Sequence, residues 1–203
     1  MKICAATGNA GKLRELRRIL EAQGHEVVSQ KELGITIEPE ETGTTFAENA
    51  LIKAETICKA SGLPTIADDS GLCVDALGGA PGVHSARYTG NHADSDADRY
   101  NLLLRNLGGR DDRAARFVCS LCCAFPNGDV LEAEGYCYGR IAEECRGESG
   151  FGYDPIFICT EEGCAGKTFG EATAEEKDAV SHRGKSLRIF AEKLENSRKD
   201  KEG

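Results

Sequence analysis

The chain has 203 residues, a net charge of −9 and 40% hydrophobic residues, which is enough apolar material for one core and too much for a disordered segment. The acidic balance argues against broad nucleic-acid binding, which needs a basic face, and no apolar run approaches the roughly 20 residues of a membrane span. No basic patch followed by an apolar stretch opens the chain, so no signal peptide is expected and a cytoplasmic location is.

In chain order, Lys2 to Thr7 is short and apolar and predicts a buried strand. Gly11 to Gly24 predicts a helix with Leu13, Leu16, Ile19 and Leu20 on one side and charges on the other. "EVVSQ" reads as a second strand. Thr45-x-x-Glu48 is a capping box that opens a helix running to about Ala60 and ending at Gly62 and Pro64. "TIA" predicts a third strand, broken by "DDSG" and followed by a Gly/Pro loop through "GGAPGVHSARYTG". Asp94 to Asn106 predicts a helix. "RFVCSLCCAF" and "VLEAEGYCYGRI" form a β-hairpin around Asn127-Gly128. The glycine-rich "GESGFGYDP" precedes a short strand, "IFIC", and Thr173-x-x-Glu176 caps a short helix. The last helix carries Leu187, Phe190, Ala191 and Leu194 on one stripe, and 196–203 reads as a solvated tail. Strands alternating with helices, then a hairpin, give an α/β fold with a mixed sheet in one domain over 1–195.

Ten cysteines invite a redox or zinc reading, and Cys119 and Cys122 form a CxxC. In a strand, however, alternation puts Phe117, Cys119, Leu121, Cys123 and Phe125 on one face and Cys122 on the other. The cysteines are therefore expected to be small buried hydrophobes.

Several short stretches carry chemistry. "ATGNAGKLREL" resembles a phosphate loop without the Walker A order: a strand, a turn with Gly8 and Gly11, a helix N-terminus with free N–H groups, and Lys12. On the second helix Phe46, Ala50, Lys53 and Ile57 share one face, with Asn49 one turn before Lys53. That spacing puts a lysine on the apolar stripe, where it is costly without an anion. Asp68 and Asp69 end a strand side by side, and Glu40 and Glu41 precede the second helix. Paired carboxylates suit Mg²⁺, which binds through one or two of them plus substrate phosphates, and one can take a proton from water. Phe151 and Tyr153 among glycines offer faces to a flat ring, with Asp154 as an acceptor. Ser181 reads as an N-cap, which places His182 and Arg183 in the first turn of the last helix, against the dipole.

Taken together, "ATGNAGKLREL", "EETGTTFAENALIKA", "IADDSGL", "ALGGAPGVHSARY", "GFGYDPIF" and "EEKDAVSHRG" resemble the inosine triphosphate pyrophosphatases, also called XTP/dITP diphosphatases, from about Lys2 to about Leu194. The resemblance implies an elongated mixed α/β sheet flanked by helices, with two lobes, a central nucleotide cleft and a homodimer. It implies Mg²⁺-dependent hydrolysis of ITP, dITP and XTP to the monophosphate and pyrophosphate. Thr7, Gly8, Asn9, Ala10, Gly11, Lys12 and Lys53 would bind the triphosphate, and Glu40 and Asp69 would hold Mg²⁺. Asp69 would accept the proton, with Asp68 and Lys53 beside it. Ser70, Phe151, Gly152, Tyr153, Asp154, Lys177, His182 and Arg183 would line the nucleotide. The residues leave open which of Glu40 and Glu41 faces the metal. Alternatives are a pyrophosphatase for modified pyrimidine triphosphates, a nucleotide-binding regulator without turnover, and a thiol redox or metal protein.

Overall fold

The computed structural model of the chain describes residues 1–91 and 93–202. In order the elements are β1 (Lys2–Ala5), α1 (Ala10–Ala22), β2 (Glu26–Ser29), α2 (Phe46–Ser61), β3 (Thr65–Val74), α3 (Asp96–Leu107), β4 (Ala114–Ala124), β5 (Val130–Ile141), β6 (Phe157–Cys159), α4 (Ala174–Val180) and α5 (His182–Glu202). The six strands form one sheet in the order β2-β1-β3-β4-β5-β6. β1 is parallel to β2 and β3, and β5 is antiparallel to β6, so the sheet is mixed, as the sequence predicts. Among the described residues no helix is long and apolar enough to cross a membrane.

The chain divides into two compact units. The first comprises Met1–Asp69, Cys119–Gly135 and the segment from Arg183 onward, the second Ser70–Val118 and Tyr136–His182. In the first, strand alternation sorts the core by face. Ile3, Ala5, Ile66, Cys119, Leu121 and Cys123 pack with Leu16 and Leu20 of α1 and Leu187, Phe190 and Leu194 of α5. Cys4, Ala6, Ala67, Cys122 and Ala124 pack with Ala50, Ala54, Ile57 and Cys58 of α2. The second face is built of alanines and cysteines, whose short side chains let α2 come close to the strands. Each fully buried Leu, Ile or Phe contributes about 1.5–3 kcal/mol.

Local signals hold these elements in place. The Thr45 capping box opens α2 and Gly62, at φ 67°, closes it in the left-handed region. In the second unit the core gathers around Phe117, Phe157 and Phe169, with Phe117 and Phe157 ring centroids 4.6 Å apart. Gly139 is required there: a Cβ would lie 2.3 Å from the Ile158 carbonyl oxygen.

Three sequence expectations change. β3 is not broken at "DDSG" but runs through it to Val74. Asp and Gly are poor strand formers, yet here the strand is central and its carboxylates find partners. The Gly/Pro loop contains a 3-10 turn at Gly82–Arg87. α5 continues helically through Glu202, over residues read as a tail; the side chains from 198 onward and Gly203 lie outside the described residues. Nine of the ten cysteines are buried and Cys145 is exposed, and Cys119 and Cys122 belong to opposite faces of the sheet.

Candidate active site

β1 is the strand at which the chain reverses its direction of travel across the sheet. The connection through α1 leads to β2 on one side of β1, and the connection through α2 leads to β3 on the other. The carboxyl end of such a strand opens a crevice where ligands bind in α/β sheets. The loop Thr7–Asn9 leaves β1 at that end. Thr7 Oγ1 accepts from the Asn9 N–H at 3.2 Å, and Asn9 Oδ1 accepts from the Lys12 N–H at 3.0 Å, capping α1. The helix therefore begins at Ala10, with Gly11 and Lys12 in its first turn. Gly8, Asn9 and Ala10 are exposed, so the helix N-terminus is open to an anion.

Lys53 projects from α2 toward β3, with its side chain 13% exposed. Its ammonium donates to Glu41 Oε1 at 2.8 Å, to the Asp68 carbonyl oxygen at 2.9 Å and to Asp69 Oδ1 at 3.3 Å. Burial pulls the Lys53 pKa down, but Asp69, Asp68 and Glu41 outweigh it and hold the pKa above its usual value. Asn49, one turn earlier and fully buried, donates from Nδ2 to Asp69 Oδ2 at 3.2 Å and accepts the Gly43 N–H at 2.8 Å. The Asp69 pKa is raised: burial is the largest cause, Lys53 and Lys12 oppose it, and Glu41 adds to it.

Asp68 faces the other way. Arg183 donates from Nε and Nη2 to its Oδ2 at 3.3 and 2.7 Å, and Lys12 Nζ lies 3.1 Å from the same oxygen. Arg183 Nη1 donates to Glu15 Oε2 on α1. Burial pushes the Asp68 pKa up, but Arg183, Lys12 and Lys53 reverse that and hold it well below the carboxylate range. Behind it, the Cys119 thiol lies 3.9 Å from Oδ2, and Ser186 Oγ donates to Cys119 Sγ at 3.3 Å.

The remaining predicted residues belong to the second unit. Asp154 Oδ2 accepts from the Phe151 N–H at 2.8 Å and from Lys177 Nζ at 2.6 Å, in a pair only 2% and 5% exposed. The Lys177 ammonium also sits 4.6 Å from the Phe151 ring centroid. Gly150, at φ 83°, lets the loop close on Asp154; a Cβ there would lie 2.1 Å from Asp154 Oδ2. Tyr153 Oη donates to the Ser85 carbonyl at 2.9 Å, and the Gly152 N–H donates to Asp96 Oδ2 at 2.7 Å. His182 stacks on Phe117 at 4.7 Å and 11°. Ser70 follows Asp69 in β3 and is half-buried.

The predicted residues Lys12, Lys53, Asp68, Asp69 and Arg183 are thus brought together. Glu40 is not: it is exposed, while Glu41 makes the ion pair with Lys53. Sequence reasoning also missed Glu15. A signal was present, since Glu15 lies three residues after Lys12 and four before Ile19, which puts a charge on the inward stripe of α1.

The oxygen set fits a hard divalent cation. The Lys53 ammonium already bridges the Glu41 and Asp69 carboxylates, so one positive centre can serve both, and the donors are all oxygen. Asp68 Oδ1 is buried and accepts no hydrogen bond from the protein. Among the described residues no cluster of three or more His, Cys, Asp or Glu has metal-holding geometry; Mg²⁺ bound together with phosphates needs only one or two carboxylates.

A profile of the Ham1 family matches residues 3–193. The chain is 48% identical over 191 residues to the dITP/XTP pyrophosphatase of Bacillus subtilis (strain 168), covering 94% of this chain and 95% of that protein. It is 50% identical over 193 residues to a dITP/XTP pyrophosphatase of Thermus thermophilus, covering 95% of this chain and 91% of that protein. The solved structure of the Staphylococcus aureus Ham1 protein superposes with a TM-score of 0.84 at 38% identity, over 97% of this chain and 100% of that one.

Proposed function

We infer the reaction from kinship and site together: the chain belongs to the Ham1 family and is a dITP/XTP pyrophosphatase, a hydrolase of nucleoside triphosphates. The observation that supports the site reading best is the Lys53 ammonium, drawn between Glu41, Asp69 and the Asp68 carbonyl in a mostly buried position.

Water attacks the α-phosphorus, the bond to the bridging oxygen breaks, and pyrophosphate leaves the nucleoside monophosphate. Asp69 accepts the water's proton: burial raises its pKa, which strengthens it as a base. Lys12 and the open amides at the start of α1 grip the phosphates, and Lys53 neutralises charge that develops on them. Glu41 and Asp69, rather than Glu40, would hold Mg²⁺, which would supply Lewis-acid neutralisation of the phosphate oxygens. Asn49 holds the Asp69 carboxylate in place through Oδ2. The nucleoside is assigned to Ser70, Phe151–Asp154, Lys177 and His182. Arg183 follows His182 directly in the chain and carries Asp68. The substrates assigned are dITP, XTP and ITP, and the assembly assigned is a homodimer.

The test is a panel of nucleoside triphosphates with Mg²⁺, scored for pyrophosphate against orthophosphate. Pyrophosphate from ITP, dITP and XTP is expected. Orthophosphate and a diphosphate would refute the cleavage position, and preferential turnover of dTTP or UTP would refute the purine assignment. Sedimentation of the same protein checks the dimer.

A further inference from the structure

Glu15 is a carboxylate that a phosphate loop does not need. It lies on α1 three residues after Lys12, on the same helix face, and is 5% exposed. Its Oε2 accepts from Arg183 Nη1, while Arg183 Nε and Nη2 donate to Asp68 Oδ2. That same Oδ2 holds the Lys12 ammonium at 3.1 Å. The four groups form a chain of alternating charge, Glu15–Arg183–Asp68–Lys12, whose formal sum is zero.

The order of the chain matters. Charges interact pairwise, so the Glu15 carboxylate offsets the repulsion between the Arg183 guanidinium and the Lys12 ammonium, which share Asp68 Oδ2. With Glu15 present, the hold of Asp68 on Lys12 is therefore less opposed by Arg183. Lys12 is also the member nearest solvent, its side chain 17% exposed against 1% for Arg183 and none for Asp68.

We propose that Glu15 is a positioning residue of the phosphate site: acting through Arg183 and Asp68, it fixes the Lys12 ammonium where the triphosphate meets it. The proposal rests on the assignment of Lys12 to the phosphates. Glu15→Gln makes the formal sum +1. The Arg183 charge is then no longer offset, and Lys12 is held less firmly. A loosened lysine in a more positive site binds the ground-state triphosphate no worse, but it no longer waits where charge develops in the transition state. The signature is therefore a loss in kcat without a rise in KM.

The experiment is a double-mutant cycle on the full chain with Mg²⁺ and dITP, measuring pyrophosphate release by the parent, Glu15→Gln, Lys12→Met and the double variant. Glu15→Gln is expected to lower kcat about tenfold, with KM unchanged or lower. In the Lys12→Met background the same substitution is expected to change kcat less than about twofold, because the residue it acts through is gone. Equal losses in both backgrounds overturn the proposal, as does an unchanged kcat or a rise in KM alone. If Glu15→Gln folds poorly, Glu15→Asp, which keeps the charge at shorter reach, takes its place, and its kcat loss must also disappear without Lys12. A parent that releases no pyrophosphate overturns the functional reading itself, and this proposal with it; an active parent with an additive cycle overturns only the role of Glu15.

Discussion

Asp68 and Asp69 are consecutive in sequence and stand on opposite faces of β3. Asp68 accepts from Arg183 of α5 and is held by Lys12 of α1, whereas Asp69 accepts from Asn49 and Lys53 of α2. The pleat thus gives two neighbouring carboxylates different surroundings, one tied to a buried guanidinium with its pKa held down and one whose pKa burial raises.

The two carboxylates affect stability with opposite sign. The folded pKa of Asp68 is depressed below its ordinary 3.8, so its contribution is complete above that pH and is lost as pH falls toward the folded value. The folded pKa of Asp69 is raised, so the stability it lends is present below 3.8 and is lost as pH rises through its folded value. Asp68→Asn should therefore cost about 3–5 kcal/mol at pH 7, the usual result of stripping one partner from a buried pair. That penalty should shrink below pH 3.8. Asp69→Asn should leave stability at pH 7 equal or higher. Urea melts of both variants across pH 3–7, roughly the carboxylate range and above, check the crossing.

The activities of the same variants should reverse that order for Asp69. Asp69→Asn is nearly isosteric but removes basicity, and loss of a general base typically costs about 10²–10⁴ in rate. Steady-state pyrophosphate release measures it. Activity within a few-fold of the parent would rule out Asp69 as base.

Lys53→Met keeps the stem and removes the charge. The sequence alone suggests a lysine starved of partners, whose removal stabilises the free enzyme. With Glu41, Asp69 and the Asp68 carbonyl around its ammonium, its loss should instead destabilise by about 1.5–3 kcal/mol, the range for hydrogen bonds to a charged group. At this chain length that lowers Tm by about 2–4 °C per kcal/mol. Turnover should fall as well. Calorimetry and rate measurements on one preparation separate the two effects, and a more stable variant would show that the three contacts contribute nothing.

Glu40 and Glu41 can be told apart by metal demand. Glu41→Gln should raise the Mg²⁺ concentration needed for half-maximal rate about tenfold or more, on the scale of losing a group that supports a metal site. Glu40→Gln should leave it unchanged. Mg²⁺ titrations of initial rate decide, and the reverse ranking would move the metal to Glu40.

Much of this was legible in the sequence because short-range rules dominate where it was. The Thr45 and Thr173 caps each satisfy amides within one helical turn, so their sequence signatures hold in the fold. Lys53 is legible from spacing alone, since it puts a charge on the apolar stripe of its helix. What was hidden depends on contacts distant in sequence. That Glu41 and not Glu40 pairs with Lys53 is set by where Lys53 ends up, 12 residues later. The continuity of β3 through "DDSG" is set by partners from α1, α2 and α5, which strand propensity does not count. Position alone makes Arg183 a cation in the first turn of a helix, against the dipole; that it is 1% exposed and received by a carboxylate 115 residues earlier and another on α1 depends on contacts far apart in sequence.

Burial of the cysteines turns the chain into its own reporter of unfolding. Of ten thiols only Cys145 is exposed, so a bulky, membrane-impermeant thiol reagent should modify one site on the native protein and all ten after denaturation. Burial raises the pKa of Cys119 and Cys122 to about 12, which leaves almost no thiolate to react while they stay packed. The mass added per molecule, followed over time, therefore counts open chains directly. It does so without an engineered probe, and it can rank the variants above by how often each one comes apart.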